Sequence, residues 1–487
     1  VTSLSRSLKH DLEGLLRGGS VTDDAGSRLR AARDWWPQAL WWENEQTESH
    51  MPSLVVRPVS GDEVPTILDW ANTHSLAVVT RGGGSGVCGA AIANNQDSIV
   101  LDTTALNSVL SIEEDPSNLR VAAQAGILGS VLEEQINQRG YSLMNHPASI
   151  DISTVGGWIA TGSYGQFSTL YGGIEDQVVD LKTVLPDGSA VGGQLDNFLL
   201  SEGTLGVITE ATLKMRRVPQ KRSLLSFEFG ALSEGLDFAR GLIKRGIRPA
   251  VCRLYDPAET KVSGLTSCSQ SLITETMKFK LQTSILRYPA FLNWALRLPV
   301  LSERWLMVMV LEDQDFEHNE ILSLAQQRQL LSRGQPARQW LSKRNQWNTK
   351  KVMDMMGRTC FVDTLDTWAS WDCLEKVYGC VCDAVSSRAM IMGHISHFDT
   401  EGACFYFIMA AGGKSKRDTI VSHQNAWRCA MEAVIAAGGR INHHHGLGLA
   451  KLPWKEYAFK ANWLTEFAQR KRKLDPKNMM NPGKLSV

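Results

Sequence analysis

Residues 80–89 read T-R-G-G-G-S-G-V-C-G and leave the apolar run at 76–79. Glycines at the end of a strand let the backbone enter conformations closed to other residues. Successive N–H groups can then face one concavity and hold an anion, most often a phosphate. The spacing matches neither the P-loop pattern nor the G-x-G-x-x-G dinucleotide fingerprint. Taken alone, the run reads equally as an ordinary turn. Three more segments rich in glycine and hydroxyls follow: P-A-S-I-D-I-S-T-V-G-G-W (147–158), T-G-S-Y-G (161–165) and E-G-T-L-G-V-I-T (202–209). Each offers small side chains, N–H donors and hydroxyls suited to close approach of pyrophosphate and ribose.

A second group lies near the C-terminus, in I-N-H-H-H-G-L-G (441–448). Adjacent imidazoles are hard to bury, because every ring nitrogen then needs a partner. A structural turn and a metal site both remain open, although neighbouring His side chains diverge and no matching Cys, His and carboxylate cluster is evident. The favoured reading is proton transfer and polar substrate contact, since imidazole titrates near neutral pH. No metal is assigned.

These residues must be positioned by an α+β framework. From 54 to about 217 the pattern is short apolar strands, glycine turns and a few helices. Helical spacing marks 64–74 and 128–139, and P-D-G at 186–188 has hairpin chemistry. Residues 3–17 read as an amphipathic helix, and 28–45, with two W-W pairs, as a docking segment. The stretch R-V-P-Q-K-R (217–222) reads as a linker. Beyond it come a strand, a helix over 232–246, the strand A-V-C-R-L-Y, an apolar region and a strand near 305–312. The region 285–311 reads preferentially as a core helix running into a strand. A surface helix at the mouth of a lipid tunnel is the alternative. Residues 314–357 read as polar helices, followed by a strand–helix–strand unit and a helix over 418–439. The expected divisions are 1–50 as a helical docking segment, 51–219 and 220–430 as two domains, and 431–487 as a segment completing the site.

The four segments together resemble the flavin-binding domain of the vanillyl-alcohol oxidase and p-cresol methylhydroxylase superfamily. The resemblance implies a two-subdomain FAD-binding domain of the p-cresol methylhydroxylase type, an α+β cap domain and a C-terminal helical segment returning to the flavin. It implies that Thr80, Arg81, Gly82, Gly83, Gly84, Ser85 and Gly86 embrace the FAD pyrophosphate. Pro147, Ala148, Ser149, Ile150, Asp151, Ile152 and Ser153 would line the cofactor, with Thr161, Gly162, Ser163 and Tyr164. Glu202, Gly203, Thr204, Leu205, Gly206, Val207 and Ile208 would complete its pocket. Many members carry, after the three glycines, a His bonded covalently to the flavin. Ser85 stands there, so FAD is expected to bind non-covalently.

H-H-H-G-L-G narrows the resemblance to the alkylglycerone-phosphate synthase (alkyldihydroxyacetonephosphate synthase) branch. The glycolate and D-lactate dehydrogenase branch carries E-H-G-I-G there, and a metal-binding H-x-G-D-G-N-x-H that 396–407 lacks. The stretch G-A-C-F-Y-F places Tyr406 on that family's acid/base tyrosine, although a tyrosine among apolar neighbours is usually core. P-A-V-C-R-L-Y-D places Arg253 on its essential arginine, where a surface ion pair is the plainer reading. His443, His444 and His445 would assist. The implied reaction exchanges an acyl for an alkyl chain on dihydroxyacetone phosphate, through a flavin adduct, in ether-lipid synthesis. The alternative is an FAD-dependent alcohol or 2-hydroxy-acid oxidoreductase. Three departures stand out. No Arg occupies the register of the family's phosphate-binding arginine, with Lys350, Lys351 and Arg358 as substitutes. Gly162 replaces an arginine, and the terminal N-P-G-K-L is nearer the hydroxy-acid branch.

Composition sets the outer limits. At 487 residues the chain is long enough for two or three domains. Lys+Arg and Asp+Glu are 51 each, which argues against nucleic acid as a partner. The 9 Cys are scattered, as suits a reducing compartment, and a cytoplasmic location is expected. No stretch resembles a secretory signal or a membrane span. The expected partner is a small-molecule or lipid substrate. Peripheral membrane contact and a homodimer stay open.

Overall fold

The computed structural model describes residues 3–44, 50–93, 97–193, 195–263, 283–297, 304–313, 318–325, 334–345, 349–357 and 359–485. The chain divides into two units. The first comprises Val1–Gly165, Gly172–Val218 and His444–Val487. The second comprises Gln166–Tyr171 and Pro219–His443. Both are thus discontinuous in sequence, which a reading of contiguous stretches does not anticipate.

Among the described residues the first unit holds three sheets, the smallest of which pairs Tyr141–Ser142 with Arg216–Arg217. A four-stranded sheet runs in the order Ser20–Thr22, Leu54–Arg57, Ser98–Asp102, Ala77–Arg81. Its last three strands are parallel. Parallel strands covered on both faces read as unbroken apolar runs rather than alternation. Accordingly Leu54, Val56, Val78, Ile99 and Leu101 pack into one core with Ile67 and Leu68 of the helix Val64–Thr73. Val55, Val79 and Val100 pack on the opposite face with Ala31 and Ala93. The strand Ala77–Arg81, paired with Ser98–Asp102, runs directly into the glycines at 82.

The five-stranded antiparallel sheet has the order Val109–Glu113, Arg120–Gln124, Val207–Lys214, Val178–Val184, Ala190–Gly192. The P-D-G turn closes its last hairpin, with Gly188 at φ +82°. The first helix, Ser3–Glu13, is shorter than its apolar spacing suggests. Gly14 follows at once, and Gly18 and Gly19 donate N–H to Glu63 instead of extending it.

The second unit is built on a six-stranded, wholly antiparallel sheet. Its order is Arg222–Phe229, Trp305–Glu312, Val251–Tyr255, Met390–Ser396, Gly402–Gly412, Cys360–Ser370. Every residue of Trp305–Glu312 is buried, as its unbroken apolar sequence requires. Among the described residues, the helices Leu232–Lys244, Leu374–Val385 and Lys416–Ala436 are the longest that pack against this sheet. The last is opened by a capping box in which Ser415 and Asp418 bond reciprocally.

One strand is new here and one expectation changes. The strand Met390–Ser396 was not legible, because its residues break the apolar pattern with Gly393 and His394. The preference for a core helix within 285–311 is also overturned. Pro289–Leu296 is a surface helix whose one buried residue is Asn293. Its amide donates to the Ser386 and Ala389 carbonyls and accepts from Ile391 N–H, a polar anchor beside the contact that half-buried Leu292 makes with Leu286, Cys360 and Ala410. Residues 298–303 of that stretch lie outside the described residues, as does Arg358. The side chains of Lys350 and Lys351 do too.

Candidate active site

The cradle of the first unit forms because its four segments approach at backbone distance. A Cβ at Gly82 would lie 2.1 Å from Thr154 Oγ1, and one at Gly83 only 1.8 Å from the Ile152 carbonyl oxygen. The first two segments can therefore meet only through glycine. The fourth is joined to the helix that leads into the third by Glu202 N–H donating to the Ala160 carbonyl at 2.9 Å. Gly203, at φ +71°, faces Thr80, where a Cβ would sit at 3.4 Å. The left-handed Gly162 ends the helix Val155–Thr161, which begins with Thr154 accepting from Gly157 N–H.

Not every implied side chain points to a ligand. The Arg81 guanidinium donates to the Arg33 carbonyl at 3.1 Å and to the Gly82 carbonyl at 3.4 Å, so it braces the loop from its own side chain. The Ser153 hydroxyl accepts from Trp158 Nε1 at 2.7 Å, and that of Thr204 donates to the Ser201 carbonyl at 2.7 Å. Tyr164 donates to Glu175, and its ring lies 6.4 Å from that of His444. Ile150, Leu205 and Val207 are buried as packing. In contrast, Thr80 Oγ1 and both amide atoms of Asn145 are buried without a hydrogen-bond partner. A buried polar group carries a desolvation cost unless something pairs with it. Glycine-enforced closeness and orphaned polar atoms together fit a large polar cofactor such as FAD.

Two carboxylates brace this cradle. Asp34, fully buried, accepts from Trp36 N–H at 2.9 Å and from Gly89 N–H at 2.7 Å, fixing the exit of the glycine run. Burial pushes it up to about 6. Glu202 takes Leu447 N–H at 2.6 Å and Gly448 N–H at 3.0 Å. Its own backbone φ is +49°, and Asn481 donates to its carbonyl at 2.7 Å. Leu449 and Ala450 N–H both donate to the Cys88 carbonyl. The chain immediately after the three histidines is thus tied to the first and fourth segments.

In the second unit, register assembles a row of polar side chains on one sheet face. Tyr255 pairs with His394, His394 with Tyr406, and Tyr406 with Asp366. Direct partners share a face, and so does Arg253, two residues before Tyr255. The His394 ring lies 5.1 Å from those of both Tyr255 and Tyr406. Arg253 donates to the Tyr255 hydroxyl at 3.3 Å, and its guanidinium lies 5.4 Å from the Trp340 ring. Burial pushes the Tyr406 phenol above its ordinary range; Thr364 opposes this and Asp366 adds to it. Asp366 accepts His443 N–H at 2.8 Å. The His443 ring stacks 5.3 Å from His397, which is bonded to Ser168.

Two sequence matches bear on this arrangement. Residues 52–192 match a family described as "FAD binding domain". Residues 218–485, more than half of the chain, match "FAD linked oxidases, C-terminal domain".

The chain belongs to the FAD-linked oxidase family.

It is an FAD-binding enzyme with the α+β fold of that family. It is 29% identical to the alkyldihydroxyacetonephosphate synthase of Dictyostelium discoideum, over 89% of this chain and 73% of that protein. It is 25% identical to the glycolate oxidase subunit of Bacillus subtilis, over 89% of each chain. A solved alkyldihydroxyacetonephosphate synthase superimposes with a TM-score of 0.76, at 24% identity, covering 98% of this chain and 85% of that one. Among the described residues of this family member, no helix is long and apolar enough to cross a membrane.

Asp366, His394, Glu259 and His397 escaped the sequence reading. The signal for Asp366 was its register opposite Tyr406, which needs the sheet order. For His394 it was a histidine two residues from Ser396 in an otherwise apolar strand.

Proposed function

We propose that this flavoenzyme exchanges the acyl chain of an acyl-dihydroxyacetone phosphate for a fatty alcohol. The ester carbon–oxygen bond to the head group breaks, an ether bond forms, and the fatty acid leaves, with no net oxidation. The observation that carries the reading is the Tyr406–Asp366 pair, with Asp366 also holding His443 N–H. A phenol kept protonated by burial is suited to give a proton and, once ionised, to take one back. Arg253 would hold the anionic head, as a guanidinium suits phosphate. His443, His444 and His445 would exchange protons with the alcohol and the departing acid. FAD, when bound, would supply an electrophilic ring system. Thr80 Oγ1 and the Asn145 amide are the unpaired groups offered to it.

A second reading, net oxidation of an alcohol or 2-hydroxy acid, is favoured by the likeness to a glycolate oxidase subunit. Anaerobic mixing separates them. Exchange leaves the flavin band intact once substrate is consumed; bleaching that persists without an acceptor means oxidation and would overturn the synthase reading.

The same reading suits contact with a lipid surface. On the helix Pro289–Leu296 and its approach, Tyr288, Phe291 and Trp294 are 66%, 54% and 59% exposed, flanked by exposed Arg287 and Arg297. Exposed aromatics beside arginines suit the interface of an anionic membrane.

A further inference from the structure

His394 is the buried titratable group that the proposed reaction leaves without a task. It is 4% exposed on the central strand Met390–Ser396. Its Nδ1 meets both carboxylate oxygens of Glu259, at 3.1 and 3.0 Å. Its other ring nitrogen, Nε2, is buried without a hydrogen-bond partner, and so is Arg253 Nε on the adjacent strand. The Arg253 Nε–H asks for an acceptor, and His394 Nε2, on the same sheet face, joins it as a second donor once the imidazole takes up a proton.

The dyad is deliberately held. Asp256 accepts Glu259 N–H at 2.6 Å with one oxygen and Gly393 N–H at 3.0 Å with the other. It thereby locks the helix Pro257–Ser263, which carries Glu259, to the residue preceding His394. Tyr255 and Tyr406 confine the imidazole plane from either side.

We propose that His394, oriented by Glu259, joins Arg253 to form an anion subsite for the phosphate monoester of the substrate head. This rests on the phosphate-ester reading of the substrate. A histidine beside a permanent cation can match its charge to a dianion by taking up a proton as the ligand arrives. In the free site the groups facing His394 are Glu259 on the helix, Arg253 and Tyr255 on one strand, and Tyr406 on the other, with Asp256 and Asp366 next to these. Burial, helped by Arg253, holds the imidazole below its ordinary range against the pull of Glu259. It therefore starts neutral at neutral pH, and a bound dianion draws the proton in.

The test is calorimetry on the FAD-loaded enzyme, titrating dihydroxyacetone phosphate near pH 8 in two buffers of different ionisation enthalpy. The wild type should take up close to one proton per ligand bound. His394→Gln should abolish the uptake and weaken binding roughly tenfold or more, the scale of a lost charge-assisted hydrogen bond. Glu259→Gln should diminish the uptake. The flavin spectrum and melting temperature of each variant report folding, and the wild-type proton count needs no variant. Tight binding with no proton uptake, or equal binding by His394→Gln, overturns the subsite while leaving the phosphate-ester reading standing. Failure of the wild type to bind any phosphate ester while it binds glycolate or lactate overturns both.

Discussion

Glu202 Oε1 accepts a hydrogen bond from Leu447 N–H at 2.6 Å, joining residues 245 apart in sequence. The buried carboxylate also takes Gly448 N–H. A glutamate expected to complete the cofactor pocket also fixes the turn that follows the triple histidine. Removing it leaves two buried N–H donors without an acceptor, at about 1–3 kcal/mol each. Glu202→Ala is expected to keep its fold at low temperature but to lose turnover at least tenfold and melt lower. Glu202→Gln, which keeps one acceptor, should recover part of both. Unchanged turnover in Glu202→Ala would show that the turn needs no such tie.

Gly83 is the most constrained glycine of the cradle. A methyl group there would overlap the Ile152 carbonyl, so Gly83→Ala must separate the first two segments. The expected product is a folded protein purified without flavin absorbance. Full retention of FAD by this variant would place the cofactor elsewhere.

Tyr406→Phe removes the phenol and keeps the ring packed beside His394. Exchange activity is expected to fall by roughly 10²-fold or more, the scale of general acid–base catalysis, with FAD content unchanged. An active Tyr406→Phe variant would remove Tyr406 from the reaction.

Asp34 gives the first unit a pH dependence whose sign is fixed. Its carboxyl is raised by burial from 3.8 to about 6. A group raised on folding contributes stability fully present below its unfolded value, which is lost as pH rises through its folded value. The window is therefore about pH 4 to 6, and the loss across it is about 3 kcal/mol as an order of magnitude. Asp34→Asn does not titrate. Denaturant titrations should show the variant gaining on the wild type as pH rises through this window. A difference that stays flat with pH would contradict the assignment.

The aromatic helix makes a separate claim. Replacing Phe291 and Trp294 by serine should weaken co-sedimentation with anionic phospholipid vesicles several-fold while leaving melting temperature within a degree or two, since both side chains are exposed. Equal sedimentation would remove this helix from the interface.

Much of the first unit was legible because its determinants are local. Glycines demanded by close approach at 82 and 83, and the P-D-G turn, announce themselves residue by residue. The apolar runs of its parallel strands did the same. The second unit was less legible. The Asp366–Tyr406–His394 row exists only once three strands are set in register, and no short-range pattern encodes that order. Glu259 reaches His394 across 135 residues, through a helix whose orientation Asp256 sets. The surface helix misled because composition reports apolarity, and its attachment through Asn293 is polar.

The most direct measurement incubates the FAD-loaded protein with acyl-dihydroxyacetone phosphate and a carbon-13-labelled fatty alcohol without oxygen, and follows products by mass spectrometry. The account predicts labelled alkyl-dihydroxyacetone phosphate and free fatty acid in equal amounts, with the flavin oxidised at the end. Absence of the labelled ether, with reduced flavin accumulating on glycolate or another alcohol, would contradict it.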